Sequence, residues 1–404
     1  MKEFIRKDLF DNLWQALNGW VNLIQVIVGP RQIGKTTLAW QILERWSGEK
    51  IYETADQPAT PPLEWLKQVW QKARDLSGQK RTLLVLDEVQ KIPRWSELVK
   101  KLFDEDKRAK KNIRVLILGS SSLLVQKGLS ESLAGRFELH RHYQWSLSEC
   151  RQAFGLTLNE YLFFGGYPGG LTLRSNEERW SNYIRDSLIE TVLAKDILLM
   201  SPVAKPALLR QTFNLAVSQP AQIISYQKIL GTLVDAGNTT TIASYLRLLG
   251  QAFLVIGLER YSGAIVKQRG STPKIIVYDN GLISSMSNLS FRQAMRDSSW
   301  RGRLVENAVG ARLKIVSENK GGELFYWRRR QSEVDFIIRL GNGFIAIEVK
   351  SGASGRAPAA LKEFTKHYPE SKGLIISAEK MKKEESMEEV SVEDFLMEPM
   401  RYLG

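Results

Sequence analysis

Hydrophobic positions fall into two rhythms along the chain. The first third alternates short, continuous, β-branched runs with stretches of helical spacing. Residues 3–20 predict a short amphipathic lead-in helix. Val21–Thr37 reads as an apolar run, then a glycine-bounded loop, then a helix start, and Thr37–Trp46 continues that helix to a stop near Gly48. Lys50–Thr54 is a short strand, and Leu63–Leu76 is a helix after the loop marked by Pro58, Pro61 and Pro62. Thr82–Asp87 (T-L-L-V-L-D) and Ile113–Leu118 (I-R-V-L-I-L) are strands of the fully buried type, separated by a helix over Ser96–Phe103. Strands alternating with helices predict a parallel sheet covered on both faces, with its ligand site at the carboxyl ends of the strands.

The rhythm then changes. Residues 149–200 are helical, broken at Gly165–Gly170, which suits a lid over a nucleotide. Helices over Pro206–Val217, Ser225–Leu230 and Thr239–Gln251 precede strands at Leu254–Tyr261 and Lys274–Tyr278, around a basic loop, Gly263–Thr272. Three helices and a hairpin suit a winged helix-turn-helix, with Thr239–Gln251 as the groove-reading helix. Beyond residue 300 come a helix (Leu304–Ser317), strands at Glu323–Arg328, Glu333–Arg339 and Phe344–Lys350, a helix (Ala359–Tyr368) and a strand (Gly373–Ser377). Residues 351–360 are mostly loop, and Glu379–Glu389 is a charge-rich surface stretch. The predicted architecture is α/β in four parts: a parallel-sheet P-loop domain (1–148), a helical lid (149–200), a winged helix-turn-helix (201–285) and a C-terminal α/β domain (286–404).

The loop Gly29-Pro30-Arg31-Gln32-Ile33-Gly34-Lys35-Thr36, followed by Thr37, fits G-x-x-x-x-G-K-[ST]. Its glycines let backbone N–H groups face phosphate oxygens, and the next helix presents its positive end to the same anion. Lys35 is placed to reach the β- and γ-phosphates, and the Thr36 hydroxyl to ligate Mg²⁺. Hydrolysis further needs a metal-holding carboxylate and a group that activates water. Asp87 and Glu88, at the end of an apolar strand, supply both. Ser120 or Ser121 at the tip of the next strand is a candidate contact for the γ-phosphate or the water, and Arg136 a candidate for neutralising transition-state charge in cis or in trans.

Composition narrows the class. The chain has 404 residues, 43% hydrophobic and 25% charged, as in multidomain globular proteins. One cysteine, Cys150, excludes an internal disulfide framework, and three histidines give no zinc cluster. The charged N-terminus and the lack of an 18-residue apolar run predict a cytoplasmic protein with no spanning helix. A net charge of +13 favours a polyanionic partner, and residues 206–280 carry 7 Lys/Arg against 3 Asp/Glu.

The motifs G-P-R-Q-I-G-K-T-T, L-V-L-D-E-V-Q-K-I-P-R-W, G-S-S-S-L-L and S-L-A-G-R, in this order, resemble those of AAA-type ATPases that carry a C-terminal DUF4143 domain. The resemblance implies an ATPase core, a winged helix and a terminal domain similar to the PD-(D/E)XK nuclease fold. It also implies a Walker A motif at Gly29–Thr37, a Walker B motif at Asp87-Glu88, a sensor near Ser120 and a motif arginine at Arg136. The stretch Phe137–Trp145 departs from the pattern in lacking a proline before Ser148-Glu149.

The C-terminal part contributes Glu306 on a helix, Asp335 on one strand, and Glu348 and Lys350 on the next. On a strand, residues i and i+2 share a face, so Glu348 and Lys350 point the same way. This order resembles that of PD-(D/E)XK nucleases, in which carboxylates such as Asp335 and Glu348 hold Mg²⁺ and a lysine assists. Arg328-Arg329-Arg330 suits a phosphate backbone, with Phe325, Tyr326 and Trp327 just before it. Two functions stand open. One is an oligomeric Mg²⁺- and ATP-dependent ATPase coupled to DNA, with metal-dependent cleavage by the C-terminal domain. The other is a nucleotide-controlled regulatory or protein-interaction switch with an inactive nuclease-like domain.

Overall fold

A computed structural model describes residues 4–78, 80–119, 132–200, 203–231, 238–262, 272–341, 343–350, 359–378 and 388–403. The chain divides into two compact units, Met1–Tyr143 and Gln144–Gly404.

In the first unit the elements run α1 (Lys7–Asn18), β1 (Ile24–Val28), α2 (Lys35–Arg45), β2 (Glu49–Thr54), α3 (Leu63–Leu76), β3 (Thr82–Asp87), α4 (Trp95–Arg108), β4 (Ile113–Gly119) and β5 (Phe137–Arg141). The five strands form a parallel sheet in the order β2-β3-β4-β1-β5. Alternation along the strands supplies both faces. Leu84, Leu86, Val115 and Ile117 face α3 and α4 with Trp70, Val99 and Phe103, whereas Leu83, Val85, Leu116 and Leu118 face α1 and α2 with Leu13, Leu38 and Ile42. That two-sided burial explains the unbroken Leu/Val/Ile runs. The edge strand β5 was not among the predicted strands. Its residues F-E-L-H-R are only half buried, with Phe137 and Leu139 packed on the core, so it lacks the continuous apolar signal.

The second unit opens with α5 (Leu147–Phe154) and α6 (Leu158–Phe164), each started by a capping box, Ser146/Glu149 and Thr157/Glu160. Next come α7 (Glu177–Asn182), wider turns over Tyr183–Glu190 and Val192–Asp196, α8 (Pro206–Ser218), α9 (Tyr226–Gly231) and α10 (Thr239–Gln251). Strands β6 (Val255–Leu258) and β7 (Lys274–Val277) form an antiparallel pair, and Ile223 bridges to Lys274 on the other side of β7. Of the expected basic loop Gly263–Thr272, residues 263–271 lie outside the described residues. Helices α11 (Asn280–Met286), α12 (Phe291–Arg296) and α13 (Ser298–Asn319) lead to a sheet of β8 (Glu323–Arg329), β9 (Ser332–Leu340), β10 (Gly343–Lys350), β11 (Ser371–Ser377) and β12 (Glu388–Ser391). Its order is β12-β11-β10-β9-β8, antiparallel from β8 to β10 and parallel from β10 to β12. Helices α14 (Ala359–His367) and α15 (Val392–Met397) complete it.

A common core joins the parts of this unit. Leu147, Leu162, Ile276, Val309, Phe336 and Ile376 belong to one buried cluster. A buried amide network does the same: the Asn307 side chain pairs with both backbone groups of Val277, and Asn280 donates to the carbonyls of Leu162 and Leu304. The loop Gly165–Gly170, which breaks the segment expected to act as a helical lid (149–200), is anchored within this unit. Gly166 donates its N–H to Asp279 Oδ2 at 2.6 Å and accepts from Trp145 at 2.9 Å. Burial pushes the Asp279 carboxyl up to about 7, against the pull of the Gly166 and Gly281 amides. Residues 379–387 of the charge-rich stretch lie outside the described residues; Glu388 and Glu389 open β12. Among the described residues, no helix is long and apolar enough to cross a membrane.

Candidate nucleotide site and a buried charge cluster

The glycine-bounded loop leaves β1 at Val28 and enters α2 at Lys35. Gly34 has φ +91°, a left-handed conformation that a side chain would strain. At Gly29 a Cβ would lie 2.1 Å from the His142 carbonyl oxygen, so the backbone there passes too close to β5's continuation for any larger residue. The Lys35 ammonium is buried and donates to the carbonyls of Gly29 at 2.9 Å and Pro30 at 2.6 Å. Pro30, Arg31, Gln32 and Ile33 form the loop, and Thr37 follows in the first turn of α2.

Asp87 ends β3, separated from β1 by β4, at the carboxyl edge of the sheet. Thr36 Oγ1 donates to Asp87 Oδ2 at 3.4 Å, so residues 51 positions apart converge. Both offer hard oxygen donors of the kind Mg²⁺ takes, and the pair fits such an ion. Glu88 follows with φ +54° and accepts from Gln90 Nε2 at 2.6 Å. Ser120 and Ser121 lie outside the described residues. The Arg136 guanidinium is held fork-to-fork by Asp104 of α4, at 2.8 and 3.0 Å, and also donates to the Ala134 carbonyl at 3.1 Å.

One residue here had no sequence signal. Tyr52 of β2 donates to Asp87 Oδ2 at 2.6 Å, and burial together with that bond raises its hydroxyl pKa. Strand pairing brings them together: Thr54 registers with Asp87, and Tyr52 sits two residues before it. Tyr52 thus positions the carboxylate. In Tyr52→Phe the Mg²⁺ concentration for half-maximal ATP turnover is expected to rise about tenfold, as for loss of an outer partner of a metal ligand. An unchanged Mg²⁺ requirement would show that this bond does not orient Asp87.

In the second unit, Glu306 (α13), Asp335 (β9) and Glu348 and Lys350 (β10) come together as the sequence order suggests. A cation that the sequence did not suggest lies among them. Lys274 of β7 has no exposed surface, and its ammonium contacts Glu306 Oε1 at 2.5 Å, Asp335 Oδ1 at 3.0 Å and Glu333 Oε1 at 3.6 Å. The Phe336 ring lies 5.0 Å away. Asp335 Oδ2 accepts from the Val349 amide at 2.9 Å, and Lys350 donates to Glu348 Oε1 at 2.6 Å. Among the described residues, no group of three or more His, Cys, Asp or Glu is arranged to hold a metal ion. An ammonium takes the central contacts, to Glu306 and Asp335. Phe325, Tyr326 and Trp327 are core residues, while Arg328, Arg329 and Arg330 are exposed. The alternation of β8 buries the aromatics on both faces of the sheet.

A family model described as an AAA domain matches residues 21–151, which include the glycine loop, Asp87 and all five strands. Residues 21–151 are an AAA domain. Two models described as domains of unknown function, DUF8612 and DUF4143, match residues 155–293 and 301–394. The chain is 29% identical over 333 residues to the uncharacterized protein Rv2008c of Mycobacterium tuberculosis, covering 81% of this chain and 70% of that one. It is 26% identical to the uncharacterized protein MJ1544 of Methanocaldococcus jannaschii, covering 78% and 72%. Among solved structures, the Thermotoga maritima RuvB Holliday junction branch migration motor is 14% identical with a TM-score of 0.34, covering 63% of this chain and 89% of that chain. AMPPCP-bound DnaA from Aquifex aeolicus is 18% identical with a TM-score of 0.32, covering 60% and 86%. Likeness at this level says nothing about what this chain binds.

The AAA domain's local motifs were legible because they are contiguous. Tyr52 and Lys274 were not, because each meets its partners only through strand pairing and packing.

Proposed function

We propose that this protein is a Mg²⁺-dependent ATPase whose nucleotide cycle is coupled to DNA binding by the second unit. The observation that carries the ATPase half is the convergence of Thr36 and Asp87 at the mouth of the glycine loop, with Glu88 next in the chain. In this reading Gly29–Thr37 binds the triphosphate and Lys35 neutralises its terminal phosphates. Thr36 and Asp87 hold Mg²⁺, which screens phosphate charge, and Glu88 orients or deprotonates the attacking water. Arg136 stays paired to Asp104 unless a neighbouring subunit or ATP itself draws it away. Assembly through the AAA domain would supply such a neighbour.

The DNA half rests on charge and on one helix face. The order α8, a bridging residue, α9, α10 and the β6–β7 pair suits a winged helix. Asn238 caps α10 by accepting from the Thr241 amide at 2.8 Å. Thr239, Thr240 and Arg247 of α10 are exposed, and Ser244 shares their face with Thr240 and Arg247. Such a polar face with one arginine suits a DNA groove or backbone. The net charge of +13 supplies the non-specific attraction. Cleavage is not part of this proposal, since Lys274 holds the carboxylates that a metal would need.

The test is ATP turnover with duplex DNA titrated in, at about 50 and about 200 mM salt. Stimulation that weakens as salt rises is expected. Turnover indifferent to DNA, with no salt-dependent DNA binding, would remove the DNA half and favour a protein-interaction switch.

A further inference from the structure

The C-terminal charge cluster carries an inference independent of the ATPase reading. Three carboxylates on three elements converge: Glu306 from α13, Asp335 from β9 and Glu348 from β10. Such a set, with Lys350 beside Glu348, has the composition of a divalent-metal site. Two observations show how the chain uses it. The first is Lys274, whose ammonium reaches Glu306 Oε1 at 2.5 Å and Asp335 Oδ1 at 3.0 Å. The second is Glu348, only 8% exposed, whose Oε2 is buried without a hydrogen-bond partner among the described residues. A buried carboxylate oxygen without a donor is costly, and it marks an acceptor the lysine does not serve.

We propose that the Lys274 ammonium is a built-in substitute for a divalent cation, and that the Glu306–Asp335–Glu348 cluster takes a metal ion only when Lys274 is removed or withdrawn. A lysine delivers one charge through a compact head, which reaches Glu306 and Asp335 but leaves Glu348 Oε2 unserved. A divalent ion carries twice the charge and takes several oxygen ligands at once. The same lysine belongs to β7, which pairs with β6 and bridges to Ile223, whereas the acids lie on α13, β9 and β10. Moving β7 would open the site, and filling it would oppose the return of β7.

The experiment is a Mn²⁺ titration of the nucleotide-free full chain, read by electron paramagnetic resonance. The wild type is expected to bind no Mn²⁺ that Asp335→Asn abolishes. Lys274→Met is expected to gain one Mn²⁺ per chain, lost again in Lys274→Met/Asp335→Asn. Lys274→Arg keeps a cation in place and is expected to gain none. Binding of Mn²⁺ by the wild type that Asp335→Asn removes would overturn the proposal without any lysine variant. So would a Lys274→Met protein with wild-type near-ultraviolet circular dichroism that gains no Mn²⁺. If Lys274→Met does not fold in metal-free buffer, added Mn²⁺ is expected to restore its folding, and failure to do so counts against the proposal. ATP turnover plays no part in these readouts, so their failure would leave the nucleotide site untouched.

Discussion

Lys35→Ala is expected to weaken ATP binding by about 2–5 kcal/mol, the cost of truncating one partner of a buried charged pair. That corresponds to about 30- to several-thousand-fold in Kd. Two effects add. The Lys35 ammonium is buried and ties down the carbonyls of Gly29 and Pro30, so alanine frees the loop to leave the shape that faces its amides inward. Alanine also removes the one lysine of the loop, leaving the terminal phosphates to the amides and the helix end. The fold should survive, because the sheet's two cores lie behind the loop. Titration with a fluorescent ATP analogue, beside circular dichroism to confirm folding, checks this. Wild-type affinity in a folded Lys35→Ala protein would mean that the triphosphate binds elsewhere.

Lys274→Ala is expected to cost about 3–5 kcal/mol of stability, the usual penalty for breaking a buried ion pair from one side. Three carboxylates contact that ammonium, Glu306, Glu333 and Asp335, and a fourth, Glu348, pairs with Lys350 beside them. Burial opposes the charge on Lys274, but Asp335 and Glu306 outweigh it and raise the lysine's pKa. One ammonium cannot balance so many acids. Burial, and then the Asp335 charge, push Glu306 up to about 8 and Glu348 up to about 7. These values lie above those of the unfolded chain, so the folded protein holds extra protons. The stabilisation they bring is complete below about pH 4 and is lost as pH rises through 7 to 8. Thermal melts from pH 6 to pH 9 should therefore show a falling Tm, and Glu306→Gln should flatten the fall. A Tm that rises over this range in the wild type would contradict the protonated state of the cluster.

What could be read from the chain depended on how local each signal was. β1, β3 and β4 announced themselves because sheet burial on both faces demands unbroken apolar residues. β5 and β12 escaped notice because edge strands bury only alternate residues, such as Val390 within E-E-V-S. Helix α13 starts six residues before the expected Leu304, with Asp297 capping it through the Trp300 amide at 3.0 Å. The nucleotide loop and Asp87-Glu88 are contiguous, so spacing alone exposed them. The acid order Glu306, Asp335, Glu348 was also legible, but the cation that fills it was not. Lys274 opens an ordinary strand, K-I-I-V, and only the packing of β7 against α13 and β9 turns it inward. Arg136 read as a candidate for neutralising transition-state charge, and its partner Asp104, 32 positions earlier, gave no local signal.

The central claim is that ATP is hydrolysed at the Asp87-Glu88 end of β3. Single-turnover phosphate release by wild type and Glu88→Gln, each first shown to bind ATP, tests it most directly. The account predicts ATP bound with wild-type affinity and release slowed by about two to four orders of magnitude, the range of a lost general base. Release at the wild-type rate from Glu88→Gln would contradict it.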